Sequence, residues 1–201
     1  AKKASEVLSA VGRKDNSNRR AVYYLTESYL ALDQPERASQ FIDFLIKKFP
    51  DYHKAHLSQI KLLVSQSAPL ERIQNAVEPV LNTARSPSIK VEAYLLLADA
   101  QLAAHKLDEE VATLEQAATI GVENPEILER LGTIFLSRRQ NRDEKKALAL
   151  LAKNAKLKST DLQAQILYIQ ALLKNHMLTE ASQVLSALPA GSAGTRDVQF
   201  W

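Results

Sequence analysis

Cysteine is absent from this chain of 201 residues, which contains only 5 glycines, 1 methionine and 1 tryptophan. The absence of cysteine excludes a disulfide framework, a cysteine-ligated zinc site and a thiol nucleophile. No apolar run approaches the length of a membrane-spanning helix, and no signal-peptide pattern is visible. The net charge of +3 is too small to indicate a nucleic-acid partner, and we expect none.

The composition that remains is that of an ordered, helix-rich chain, with 46% hydrophobic and 24% charged residues. None of the common catalytic or phosphate-binding motifs occurs, so we predict a protein that is not an enzyme and that holds no cofactor. His53 and His56 have a spacing that a metal site can use, but no third ligand accompanies them. We interpret them as polar residues at the start of a helix, and His105 and His176 as turn residues, and we predict no metal site.

Apolar residues recur at three- and four-residue spacing along most of the chain, which is typical of amphipathic helices. Pro79 lies inside one predicted helix and predicts a kink there. Ser17 or Asn18, and one of Ser159, Thr160 and Asp161, are candidate helix caps. The periodicity predicts helices at about 2–13, 18–32, 35–48, 52–66, 69–84, 88–104, 107–121, 126–139, 142–157, 160–174 and 178–188.

One pattern is written twice along the chain. Its two copies are Val22-x2-Leu25-Thr26-x2-Tyr29 followed by Ala38-x3-Ile42, and Leu128-x2-Leu131-Gly132-x2-Phe135 followed by Ala147-x3-Leu151. At these residues the chain resembles the tetratricopeptide repeat family, whose period is about 34 residues. The resemblance implies an all-α, right-handed superhelical solenoid of about five helix–turn–helix repeats.

The resemblance implies that the whole chain is a single solenoid fragment made of successive repeats. Residues 1–18 would be the second helix of a preceding repeat and 196–201 the start of a further helix, so we expect a piece of a larger protein. The repeats themselves would be 19–52, 53–90, 91–124, 125–161 and 162–195. Two departures stand out: Glu110 replaces the family's small alanine, which suggests a looser helix contact, and about three extra residues fall in the predicted turn at 140–143. The match is poorest at 53–90.

The first helices of the repeats would line a concave groove, and the predicted function is a protein–protein interaction scaffold that binds a partner protein or peptide there. The alternative for residues such as Tyr23, Leu96 and Leu167 is packing against the neighbouring helix. The lysine–asparagine set with which some relatives hold a C-terminal carboxylate is missing. The predicted groove residues are Tyr23, Tyr24, Glu27, Lys54, Leu57, Lys61, Leu95, Leu96, Asp99, Glu129, Arg130, Ile166, Leu167 and Gln170.

A basic block at 138–158 supports a second hypothesis, in which the chain binds an anionic polymer or a membrane surface. Its alternative is an ordinary solvated helix face. The residues of this predicted basic patch are Arg138, Arg139, Arg142, Lys145 and Lys146.

Two expectations concern the setting of the protein. The alanine- and leucine-rich, cysteine-free repeats look similar to bacterial cell-envelope proteins that serve in exopolysaccharide export or pilus assembly, which favours the periplasm or envelope over the cytoplasm. Apolar residues near the chain ends, namely Leu8, Val11, Val198, Phe200 and Trp201, suggest self-association through uncapped ends.

Overall fold

The computed structural model describes residues 18–121, 123–138 and 141–188, and this part of the chain is helical without a strand. The predicted all-α helical-repeat fold is confirmed. The described helices are α1 (Arg19–Ala31), α2 (Pro35–Lys48), α3 (His53–Ser65), α4 (Leu70–Thr83), α5 (Pro87–Ala103), α6 (Leu107–Ala118), α7 (Pro125–Ser137), α8 (Asn141–Leu157), α9 (Leu162–Lys174) and α10 (Leu178–Ser186). Within these residues, no helix is long and apolar enough to span a bilayer. The predicted helix at 2–13 and the five apolar residues near the chain ends lie outside the described residues.

Side-chain caps begin the first helices where the sequence predicts them. The Asn18 side chain accepts a hydrogen bond from the backbone N–H of Ala21 at 3.2 Å, and Asp161 accepts from the N–H groups of Gln163 and Ala164. Each bond satisfies a backbone donor that the first helical turn leaves free. The structure therefore selects Asn18 and Asp161 from the two sets of candidate caps.

Among the described residues, four turns between paired helices contain a non-glycine residue in the left-handed region. They are Asp33 (φ 53°), Ser67 (φ 51°), His105 (φ 56°) and His176 (φ 59°), which follow α1, α3, α5 and α9. The left-handed conformation ends a helix and reverses the chain within a few residues. The predicted turn positions of His105 and His176 are thereby confirmed.

These turns set the register of each pair. Tyr29 lies four residues before Asp33 and Ala38 five residues after it, and both pack in one core cluster. Leu172 and Ala181 have the same spacing around His176 and also share a cluster.

The second pair departs from this register. Its turn is one residue longer, because α4 begins at Leu70, three residues after Ser67. The buried residue at the start of α4 is consequently Ile73, while Arg72, five residues after the turn residue, is exposed. This one-residue shift is the structural reason for the poor pattern match at 53–90.

His105→Gly is expected to raise the free energy of unfolding by about 0.5–1 kcal/mol, because glycine adopts a positive φ without the steric cost that a β-carbon imposes. Thermal unfolding followed by circular dichroism measures the change. Ala104→Gly is the matched control: this neighbour has a negative φ of -84°, so glycine there should lower stability. A fall in stability for both variants would contradict the explanation.

The described helices belong to two compact units, which divide between Val122 and Glu123. In the first unit, a cluster of buried side chains joins α3, α4 and α5 and includes Ile60, Val77 and Ala93. In the second unit, Leu151 of α8 packs with Leu167 and Ala171 of α9.

The helix bounds bear on the expected turn insertion and leave the expected kink at Pro79 untested. The extra residues near 140–143 do not lengthen the turn, because α8 already begins at Asn141 and contains Arg142 and Asp143 in its first turn. That expectation was wrong, and the insertion lengthens the helix instead. Helix α4 continues through Pro79, and the Thr83 hydroxyl donates to the Pro79 carbonyl oxygen at 2.6 Å. The predicted kink at Pro79 stays a prediction.

Candidate partner-binding surfaces

Three tyrosines form a patch on the first helices of the first unit. The ring centroid of Tyr23 lies 5.5 Å from that of Tyr24 and 5.8 Å from that of Tyr52, with the second pair edge to face. Tyr24 is 56% exposed. We call Tyr23, Tyr24 and Tyr52 the tyrosine patch. Because aromatic rings supply large, rigid contact area, exposed tyrosines are common anchors at interfaces.

Cations lie against the rings of the tyrosine patch. The Arg19 guanidinium carbon is 5.2 Å from the centroid of the Tyr52 ring, and the Lys54 ammonium nitrogen is 5.5 Å from that of Tyr23. Both distances are in the range of cation–π attraction. Arg19, Arg20 and Lys54 are all exposed.

The carboxylates near the patch are engaged by groups on the neighbouring first helix. The Ser58 hydroxyl of α3 donates to Glu27 of α1 at 2.6 Å. Lys61 of α3 pairs with Glu92 of α5 at 2.7 Å. These bonds link successive first helices.

The surroundings of the patch shift the ionisation of its hydroxyls. Burial, assisted by the negative charges of Glu27 and Glu92, raises the pKa of Tyr23 to about 12. Burial also raises the pKa of Tyr52, although the positive charges of Arg19 and Arg20 oppose that rise. Both guanidinium groups therefore act electrostatically on the Tyr52 hydroxyl.

Above pH 10 the raised pKa of Tyr23 predicts a loss of stability. The folded state keeps the Tyr23 hydroxyl protonated up to about pH 12, whereas the unfolded chain releases that proton near the ordinary tyrosine pKa of 10.0. The contribution is fully present below pH 10 and is lost as the pH rises through the folded pKa. Chemical unfolding between pH 9 and about 12 measures it. Tyr23→Phe should unfold with a shallower alkaline loss than the wild type; an identical pH profile would contradict the assignment.

A groove of about 420 Å³ opens in the second unit, between the first helices α7 and α9. We call it the second-unit groove. Leu136 and Leu173 supply apolar wall, with Leu167 between them, and Gln170 and Lys174 supply polar groups. Its size is that of sites that take one or two large side chains.

Three of the predicted groove residues are core residues. Leu57 is 3% exposed and packs in the α3–α4–α5 cluster, so its assignment to a binding surface was wrong. Ile166 is also buried and was misassigned. Leu167 is 8% exposed and packs on Leu151, but it also lines the second-unit groove. These apolar side chains face the interior because stacking of the first helices buries the faces between them.

Some of the other predicted groove residues contact neighbouring helices, and others are partly exposed to solvent. Glu129 accepts hydrogen bonds from Asn154 at 3.1 Å and from Lys158 at 2.9 Å, and so joins α7 to the end of α8. The hydrogen bond to Glu129 raises the pKa of Lys158. Leu96 packs on the first-unit core. Partly buried positions are those of Leu95, Asp99, Arg130 and Gln170.

Three of the five residues of the predicted basic patch lie on α8, a second helix. Arg142, Lys145 and Lys146 are exposed there, and the Lys146 ammonium nitrogen is 4.8 Å from the centroid of the Phe135 ring. Arg138 is partly buried at the end of α7. Arg139 lies outside the described residues.

The two neighbouring histidines bond to protein groups. A hydrogen bond of 2.9 Å joins His53 Nε2 and the Thr83 hydroxyl, and His56 Nε2 donates to the Pro50 carbonyl oxygen at 2.8 Å. Within the described part of the chain, no group of three or more His, Asp or Glu residues has a metal-binding arrangement.

Sequence reasoning missed three members of the first-unit surface. Arg19 begins α1, Tyr52 precedes α3, and Glu92 lies in the second turn of α5. The repeat period of about 34 residues could have indicated Tyr52, because it places Tyr52 and Lys54 one repeat after the start of α1.

Stacked helix–turn–helix pairs with left-handed turns define a helical-repeat protein, and comparison with solved structures identifies the fold as tetratricopeptide-like. The crystal structure of MamA aligns with a TM-score of 0.62 and 13% identity over 86% of this chain and 90% of that one. YrrB, described as a TPR protein with an unusual peptide-binding site, aligns with a TM-score of 0.61 and 12% identity over 90% of each chain. TTC0263, a thermophilic TPR protein of Thermus thermophilus, aligns with a TM-score of 0.54 and 21% identity over 84% of this chain and 89% of that one. Neither a protein-family model nor a curated protein matches the sequence.

Proposed function

We propose that this protein is a non-catalytic protein–protein interaction scaffold that binds partner peptides on the surface of its first helices. The observation that carries the proposal is the tyrosine patch, where the large ring of Tyr24 is 56% exposed. The fold supports the same proposal, because repeat solenoids use surfaces lined by equivalent helices for binding.

The second-unit groove adds a separate surface of the same kind. Its apolar wall lies beside exposed polar groups, which is the arrangement that takes an apolar side chain of a peptide and fixes its orientation. In each unit the binding groups belong to first helices.

Peptide display on the purified chain tests the proposal. Selected peptides should bind the wild type and lose at least about tenfold in affinity with Tyr24→Ala or with Thr133→Arg, which fills the second-unit groove. Thr179→Arg is the matched control, since Thr179 is exposed on the second helix α10. The proposal fails if no peptide binds above the level of an unrelated folded protein, or if Thr179→Arg weakens binding equally.

A second candidate function is attachment to an anionic polymer or membrane surface through α8. The favouring observation is the exposure of Arg142, Lys145, Lys146, Lys153 and Lys156 on one helix. Binding to heparin or to vesicles containing phosphatidylserine should weaken steeply with salt and disappear in Arg142→Glu/Lys145→Glu. Unchanged binding by this variant would rule the mode out.

We also propose a cellular setting for this scaffold, namely a bacterial envelope complex for exopolysaccharide export or pilus assembly. Its support is the sequence resemblance of the cysteine-free, alanine- and leucine-rich repeats. Fractionation of cells that express the tagged protein tests the setting, and recovery in the cytoplasm alone would exclude it.

A further inference from the structure

We propose that the tyrosine patch selects an acidic peptide segment that carries an aromatic side chain; this inference rests on the scaffold function proposed above. The inference specifies the chemistry of the partner at the tyrosine patch and not at the second-unit groove.

The charge of the patch provides the first argument. Arg19, Arg20 and Lys54 are exposed around the rings. Of the nearby carboxylates, Glu92 is paired with the Lys61 ammonium group, whereas Glu27 accepts a hydrogen bond from the neutral Ser58 hydroxyl and keeps its negative charge. The three cations outnumber this one carboxylate, so these groups carry a net positive charge that an acidic segment complements.

The position of the cations gives the second argument. Arg19 lies over the Tyr52 ring and Lys54 over the Tyr23 ring, so their side chains flank the aromatic surface instead of extending away from it. A carboxylate that reaches these cations brings its neighbouring side chains against tyrosine rings. Cations stacked on rings keep their hydrogen-bond donors for such a carboxylate.

The exposed ring of Tyr24 provides the third argument. Its centroid is 5.5 Å from that of Tyr23 and the planes are inclined by 59°, so the two rings form a corner and not a flat surface. A third aromatic ring can pack into such a corner edge to face, a contact worth about 0.5–1.5 kcal/mol beyond burial. An acidic residue close to an aromatic one in the partner engages both features.

Fluorescence anisotropy with defined probes tests the inference on the full chain. The probes are a ten-residue peptide of aspartate and glutamate with two tyrosines, the same peptide with lysine at the acidic positions, the acidic peptide without its tyrosines, and a ten-nucleotide oligo-dT. The acidic aromatic peptide should bind at least about tenfold tighter than the lysine peptide or the peptide without tyrosines. Tighter binding of oligo-dT through the same residues would replace the acidic peptide by a nucleic acid and overturn the inference.

Three variants test whether the acidic aromatic peptide binds at the tyrosine patch. Arg20→Glu should weaken the acidic aromatic peptide by about tenfold and strengthen the lysine peptide, since it reverses one charge of the patch. Tyr24→Ala should weaken it by about tenfold through loss of ring contact. Arg72→Glu is the matched control, because Arg72 is also an exposed cation in the first turn of a helix, α4, and should change affinity less than about twofold.

The outcomes separate this inference from the scaffold function. If display selects peptides that bind the first helices but are neither acidic nor aromatic, the scaffold stands and the inference fails. If the acidic peptide binds equally to the Arg20→Glu and Arg72→Glu variants, attraction to the chain is unspecific and the inference also fails. Circular dichroism confirms that each variant is folded.

Discussion

Gly132→Val is expected to lower the free energy of unfolding by about 3 kcal/mol, although it replaces the residue that is least favourable in a helix apart from proline. A β-carbon built on Gly132 would lie 2.6 Å from Leu151 Cγ and 2.7 Å from its Cδ2. Leu151 is fully buried and packs against Leu167 and Ala171, so it has no free space to occupy. Helices α7 and α8 would have to move apart. Thermal and denaturant unfolding of the full chain measure the effect.

A double variant makes this explanation testable. Leu151→Ala alone should cost about 2–5 kcal/mol through the cavity it leaves. In Gly132→Val/Leu151→Ala the new methyl groups enter that cavity, so the loss should be well below the sum of the single losses. Ala149→Val is the matched control on the exposed face of α8 and should cost less than about 1 kcal/mol. Additive losses in the double variant would contradict the close approach.

Gln101→Met is expected to raise the free energy of unfolding by about 1–3 kcal/mol, because it removes a buried amide oxygen that lacks a hydrogen bond within the described part of the chain. Gln101 and Glu110 are 4% and 2% exposed, and they occupy the positions around His105 that Tyr29 and Ala38 occupy around Asp33. The third pair therefore buries two long polar side chains where the first pair buries a ring against a methyl group. The Gln101 side-chain oxygen accepts no hydrogen bond from the described residues. Methionine keeps the length of the Gln101 side chain and removes its desolvated amide, while Glu110, which interacts within the protein, stays in place.

Unfolding by denaturant measures this gain. Gln116→Met is the matched control, because Gln116 is exposed on α6 and its replacement removes no buried polar group. A Gln101→Met variant that is less stable than the wild type would contradict the explanation.

The fold class and most helix bounds could be predicted from the sequence because they depend on local signals. Apolar spacing set the helices, and the side chains of Asn18 and Asp161 began two of them. The buried faces were harder to predict. Leu57 and Ile166 have the spacing of a groove residue, but a single helix does not show whether that face meets a neighbouring helix or solvent.

The residues of the candidate surface could likewise be predicted only in part. Tyr23, Tyr24 and Lys54 were predicted, whereas Tyr52 was not, because it precedes a helix and has no place in the helical pattern. Glu129 was predicted as a groove residue, but Lys158 and Asn154, which lie much later in the chain, engage its carboxylate. Partners of this kind come from contacts between helices, which periodicity does not encode.

By itself, the sequence determined that the chain folds as paired helices and where those helices begin and end, because capping and apolar periodicity act within a few residues. Only the tertiary structure decided which side chains are left for a partner. It buried Leu57, engaged Glu27 with Ser58, and brought Tyr52 beside Tyr23. The physical reason is that exposure and charge pairing are properties of stacked helices, and stacking joins residues about one repeat apart in the chain.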